Sequence, residues 1–191
     1  MLKLLIENGA DVNIVRHNTF TALIFALQNK HVEAAKVLVE NGADVTALTD
    51  WSETPLYFAA RMGVTPTGGY SPAYQKDSVD IAKLLIQKGA KVNAETKEKD
   101  TPLHIACMFN HVEMAKLLIQ HGANVNSKNH ARQNPLHKAA WNGGIEVAKV
   151  LLENGIDPKA RMKGGKTAYS IVVDRGHTKM KEFLLDMHAA C

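Results

Sequence analysis

Five segments of this chain open alike, and their spacing constrains the fold more than any other feature. Thr21-Ala22-Leu23-Ile24, Thr54-Pro55-Leu56-Tyr57, Thr101-Pro102-Leu103-His104, Asn134-Pro135-Leu136-His137 and Thr167-Ala168-Tyr169-Ser170 stand 33, 47, 33 and 33 residues apart, the 47 being 33 with an excess of 14. In the clearest copy, Asp100 to Asn126, Thr101 is placed to N-cap a helix by accepting the backbone N–H of His104. Pro102 suits the first helical position, where a missing N–H is no loss. Leu103, Ile105, Ala106 and Cys107 form a short apolar face, Asn110-His111 interrupts it, and Val112, Met114, Ala115, Leu117, Leu118 and Ile119 form a second at helical spacing. Gly122 ends the second helix, because glycine enters the left-handed region without a Cβ penalty. Two helices this short cannot bury their faces alone, so each unit must stack on copies of itself.

The second-helix endings recur in the same register: LLIENGADVN (4–13), VLVENGADVT (37–46), LLIQKGAKVN (84–93), LLIQHGANVN (117–126) and VLLENGIDPK (150–159). With T-P-L-H and the turn before each second helix, these endings resemble the ankyrin-repeat family across nearly all 191 residues. The resemblance implies an all-α solenoid of helix-turn-helix units with short β-hairpin or loop fingers. A single domain, 1–191, is expected, with a partial repeat at 1–13, full repeats at 16–46, 49–92, 96–126 and 129–159, and a capping repeat at 162–191. Register puts the 14-residue excess near 64–77. Thr65-Pro66 and Gly68-Gly69 there are turn signals, and Ser71-Pro72 reads as an N-cap with Pro at N1, so the second helix is expected to run from Pro72 to Gln87. The half-unit at Leu2–Glu7 offers apolar surface where a polar cap is expected, which suggests a chain cut from a longer array.

Composition narrows the function classes. Hydrophobic residues make up 46%, which excludes a disordered chain, and no apolar run approaches the length of a membrane span. The two cysteines, Cys107 and Cys191, build no disulfide framework, and Cys107 occupies a small-residue packing position, so a buried thiol and an intracellular, cytoplasmic setting are expected. Five of the nine histidines fall in repeat slots: His104 and His137 where a ring nitrogen can bond neighbouring backbone, and His31, His111 and His177 at the turn. They do not carry metal-ligand spacing, so no metal is expected. Gly164-Gly165-Lys166-Thr167 ends like a phosphate loop, but position 160 is Ala where the motif needs Gly. No catalytic set stands out from the repeat. No enzyme and no cofactor are expected.

What remains is surface. The resemblance implies a non-catalytic protein-binding module or scaffold, whose partner meets the concave face of finger tips and first helices. Carried over slot by slot, the readout residues are Phe20, Trp51, Arg61, Met62, Met108, Phe109, Trp141 and Asn142, beside Asp50, Glu53, Lys97, Glu98, Asp100, His130, Gln133, Lys163, Lys166, Asp174 and Arg175. Tyr70 and Tyr74 in the excess segment are further partner candidates. Large apolar residues at such positions are not required by the scaffold, and aromatic side chains dominate binding hot spots. A monomer binding a protein partner, with no membrane, is expected. The alternative is nucleic-acid or acidic-partner binding through Lys159, Arg161, Lys163, Lys166, Arg175, Lys179 and Lys181 at the basic C-terminal end. Nucleic acid is disfavoured because basic and aromatic residues are segregated rather than interleaved. The resemblance also marks Asn93 and Asn126, with Leu eight residues before each, as possible hydroxylation sites.

Overall fold

The computed structural model describes residues 1–15, 19–62 and 72–189, with side chains for all of these but 72–74, 188 and 189. Tyr70, the Tyr74 side chain, the Ser71 cap and most of the excess segment therefore lie outside the described residues, as does Cys191. Eleven helices and no named strands are found among the described residues, as an all-α repeat requires. One isolated antiparallel bridge joins Val15 and Thr21, and the fingers are otherwise hydrogen-bonded loops.

The chain divides into two compact units, Met1–Lys97 and Glu98–Cys191. The first holds α1 (Leu2–Glu7), α2 (Ala22–Gln28), α3 (Val32–Glu40), α4 (Pro55–Arg61) and α5 (Pro72–Gln87). In it α2 packs on α3 and α4, α5 packs on α3 and α4, and α1 touches α3. The second holds α6 (Pro102–Met108), α7 (Val112–Gln120), α8 (Pro135–Trp141), α9 (Ile145–Glu153), α10 (Ala168–Arg175) and α11 (Thr178–Ala189). Here first helices α6, α8 and α10 pack in sequence, second helices α7, α9 and α11 do the same, and each first helix meets its own second helix. Each unit thus has two layers with the core between them.

The capping chemistry follows the sequence. Thr21, Thr54, Thr101, Asn134 and Thr167 each accept the backbone N–H three residues on, and α4, α6 and α8 begin with proline. Such a cap contributes about 1 kcal/mol. Leu23, Leu56, Leu103 and Leu136 on first helices, with Leu38, Leu85, Leu118, Leu151 and Leu184 on second helices, are all essentially buried. Cys107 is fully buried, and burial pushes its thiol pKa up, so it packs as an inert small apolar group. In α1, by contrast, no residue is buried, and Leu4 and Leu5 are exposed.

Helix α5 begins at Pro72 and ends at Gln87, as its sequence predicts, and is 16 residues long against 9 for α3, α7 and α9. Ser78, which in register stands where α3 and α7 have their N-cap histidines, is buried inside this helix, its hydroxyl donating to the Gln75 carbonyl at 2.8 Å. About half of the excess segment is therefore helix.

Candidate functional site

In two fingers one polar side chain at the base shapes the turn. In the finger at 49–53 the Thr49 hydroxyl accepts the N–H of Trp51 (3.3 Å) and of Glu53 (3.2 Å), and the Thr49 N–H donates to the Glu53 carbonyl (3.1 Å). In the finger at 129–133 the Asn129 Oδ1 accepts from Ala131 (3.0 Å) and Gln133 (2.9 Å), and the Asn129 N–H donates to the Gln133 carbonyl (3.0 Å). Thr19, Ser52, Lys99 and Arg132, at one register position, all have φ near +60°. No glycine marks these left-handed tips; the hydrogen bonds around each turn offset the strain.

The finger at 49–53 holds Trp51 outward, 65% exposed. Its carbonyl accepts the Lys97 N–H at 2.9 Å, and the Lys97 ammonium lies 5.8 Å from the ring centroid. Arg61 is exposed at the end of α4. Phe20 is half-buried and meets buried Phe58 edge-on, with centroids 6.2 Å apart, so much of its ring is in the core rather than on offer. Met62 does not belong to the surface: it is 2% exposed. The reason is local backbone. Where α2 ends at Asn29, α6 at Phe109 and α8 at Asn142, the capping residue has ψ between 8° and 13°, whereas at Met62 the chain leaves extended, with φ −61° and ψ 155°. The extended backbone at Met62 turns its side chain inward. Conversely Phe25, at the register position of Phe58, Ile105, Lys138 and Ile171, is 55% exposed and was not expected as a readout residue. The signal was present in an aromatic residue where the fold tolerates lysine, but the position alternates between core and surface.

In the second unit Met108 is 37% exposed and Phe109 half-buried, while exposed Asn142 donates from Nδ2 to the Met108 carbonyl. Asp100, expected to face a partner, is instead a buttress: it accepts Asn129 Nδ2 at 2.9 Å and Lys138 Nζ at 3.0 Å, with both side chains of that ion pair largely covered. His104 accepts the Thr101 N–H on Nδ1 (3.2 Å) and donates from Nε2 to the Gln133 carbonyl (3.0 Å). Burial pushes its pKa down to about 4. His137 repeats the arrangement, donating from Nε2 to the Lys166 carbonyl at 3.3 Å, and its pKa is likewise lowered by burial. These histidines pin first helices to the next finger. Among the described residues no three His, Cys, Asp or Glu side chains converge as a metal site would need.

Trp141 is half-buried. Its carbonyl accepts His177 Nε2–H at 3.1 Å, and the Arg175 guanidinium carbon lies 3.8 Å from its ring centroid. Beside it a groove of about 320 Å³ is lined by Met162, Lys163, Gly164, Lys166, Ile171 and Asp174. At the hairpin ends, Asn126 donates to Gly155 (3.1 Å) and accepts from Asp157 (3.0 Å), as Asn13 does with Gly42 and Asp44. Both polar ends of the Asn126 amide thus tie one repeat to the next, and Asn93 is exposed in the same register.

No helix among the described residues is long and apolar enough to cross a membrane. No curated protein matches the chain significantly. A family model described as ankyrin repeats, in three copies, matches residues 1–67 and 72–162. With its stacked helix pairs, threonine and asparagine caps and histidine pins in one 33-residue register, this chain belongs to the ankyrin-repeat family.

Proposed function

We propose that the chain is a non-catalytic scaffold that binds a protein partner through side chains on its fingers and first helices. Ankyrin repeats generally mediate protein–protein interaction and are typically non-catalytic. The observation that carries the finer reading is Trp51. A large aromatic side chain, 65% exposed, stands on a tip whose backbone is locked by Thr49 and Lys97, so binding need not repay the ordering of that tip. Exposed Phe25 and Arg61 extend the readout set in the first unit, and Met108, Trp141 and Asn142 make up that of the second. Binding as a monomer, in the cytoplasm, is part of the same reading.

Nucleic acid is the weaker alternative. Of the seven basic residues near the C-terminal end, Lys166 is paired with Asp174 at 2.7 Å, Arg161 donates to the Gly165 carbonyl at 2.8 Å, and Arg175 lies on Trp141. The test is affinity capture with quantitative mass spectrometry, wild type against Trp51→Ala. Loss of a defined set of proteins with thermal stability unchanged supports the proposal. An identical set from both proteins, or capture that is abolished by nuclease, counts against it.

A further inference from the structure

We propose that the groove beside Trp141 receives an acidic side chain from an extended segment of a partner protein, with the carboxylate on Arg175 and a neighbouring apolar side chain against Met162 and Ile171. The proposal rests on the protein-binding reading and adds to it the chemistry of what is bound.

Charge decides the sign of the ligand. The groove is lined by three cations, Lys163, Lys166 and Arg175, and one anion, Asp174. Lys166 and Asp174 are paired at 2.7 Å and largely cancel, which leaves Lys163 and Arg175 uncompensated. Among the described residues neither of these two side chains has an ion-pair or hydrogen-bond partner; the Arg175 guanidinium is held by the Trp141 ring alone. A cation over an aromatic face is attracted by the ring quadrupole. A guanidinium carries the planar fork of donors that matches a carboxylate, and the Trp141 ring holds that of Arg175 at the groove before a ligand arrives.

Shape decides the class. A volume of about 320 Å³ sits at the small end of the range for ligand pockets, enough for adjacent side chains of a peptide rather than a large cofactor. Met162 and buried Ile171 supply apolar lining for one of them. A nucleic-acid strand fits less well. The Trp141 face that would stack a base is taken by Arg175, and the Asp174 carboxylate would meet the phosphates. A peptide carries a single carboxylate that can settle on the Arg175 and Lys163 side.

The chain contains two tryptophans, so Trp51→Phe leaves Trp141 as the only indole and a direct reporter of the groove. Random 12-residue peptides displayed on phage are selected on the folded chain, and a recovered peptide is synthesised with its Asp or Glu and again with Asn or Gln. Enrichment of an acidic residue beside Leu, Ile or Phe is expected. So is a change in Trp141 emission on titration, with at least tenfold weaker binding of the amide analogue. Arg175→Gln is expected to abolish that difference while leaving the amide analogue's affinity unchanged, and Arg175→Lys to restore only part of it. Circular dichroism verifies that both variants fold. Absence of acidic enrichment, or unchanged affinity in Arg175→Gln, overturns the proposal. So does displacement of the peptide by inorganic phosphate or a 12-nucleotide single strand at similar concentration, which would make the groove a phosphate site. Peptides that bind without changing Trp141 emission, and that are lost with Trp51→Ala, overturn the groove while keeping the protein-binding reading. A selection that recovers nothing overturns both.

Discussion

The fingers at 49–53 and 129–133 are built alike and display different things. In each, one side-chain oxygen accepts two backbone N–H groups and a residue with φ near +60° closes the turn. Yet the position that carries exposed Trp51 in the first finger carries Ala131 in the second. The comparison separates two jobs. Backbone locks set the shape of a finger, and the residue at its tip is then free to change without affecting that shape. The locks are not equally deep, however. Thr49 engages only its own finger and, through its hydroxyl, Glu53, whereas Asn129 also holds Asp100, which holds Lys138.

That inequality gives graded expectations. The largest concerns His104, which pins α6 to the finger at 129–133; its register partners in the first unit, Ile24 and Tyr57, have no imidazole to protonate. Folded His104 takes a proton only near pH 4, against an ordinary value of 6.5, because burial disfavours the charged ring. Between those values the unfolded chain holds more protons, so stability rises with pH. Its full contribution is present above pH 6.5 and is lost as pH falls through 4, a difference of about 3 kcal/mol. Lowered His137 acts in the same direction. Urea unfolding at pH 7 and pH 4.5 should show the loss, with protection from hydrogen exchange falling first in α6 and α8, and His104→Gln should flatten the profile. Equal loss in α2 and α4 would erase the distinction.

Asn129→Ala comes next. It strands two backbone N–H groups and removes a buried amide from Asp100, which should cost about 2 kcal/mol in denaturant unfolding. Thr49→Ala, with a shallower lock, should cost about 1 kcal/mol. If the two cost the same, the Asp100–Lys138 extension contributes nothing to the second finger. The smallest effect is expected at the tip. Trp51→Ala should change stability by less than about 0.5 kcal/mol, as surface substitutions do, while removing partner capture. A loss as large as that of Thr49→Ala would make the tryptophan part of the lock.

The second-helix lengths teach the same lesson in reverse. Pro72 announced the early start of α5, and the helix begins there, because a proline at the first helical position gives up no backbone hydrogen bond. Met62, ten residues before, was read as a surface residue from its register position and is buried. A register position fixes where a Cα stands; whether its side chain meets water depends on how the backbone leaves the helix.

By itself, the sequence determined the 33-residue unit, the two-helix pattern, all five caps, the leucine core, the buried Cys107 thiol and the bonding of His104 and His137 to neighbouring backbone. Each of these rests on interactions within a few residues or on a repeat that shows itself by recurrence. Tertiary structure alone decided that Met62 turns inward and Phe25 outward, that Asp100 joins Asn129 and Lys138, and that Arg175 lies on Trp141. The Asp100 and Arg175 contacts join residues 29 to 38 apart in sequence, brought into reach only by stacking. The 33-residue period says which repeats become neighbours, but not which of their side chains will find one another.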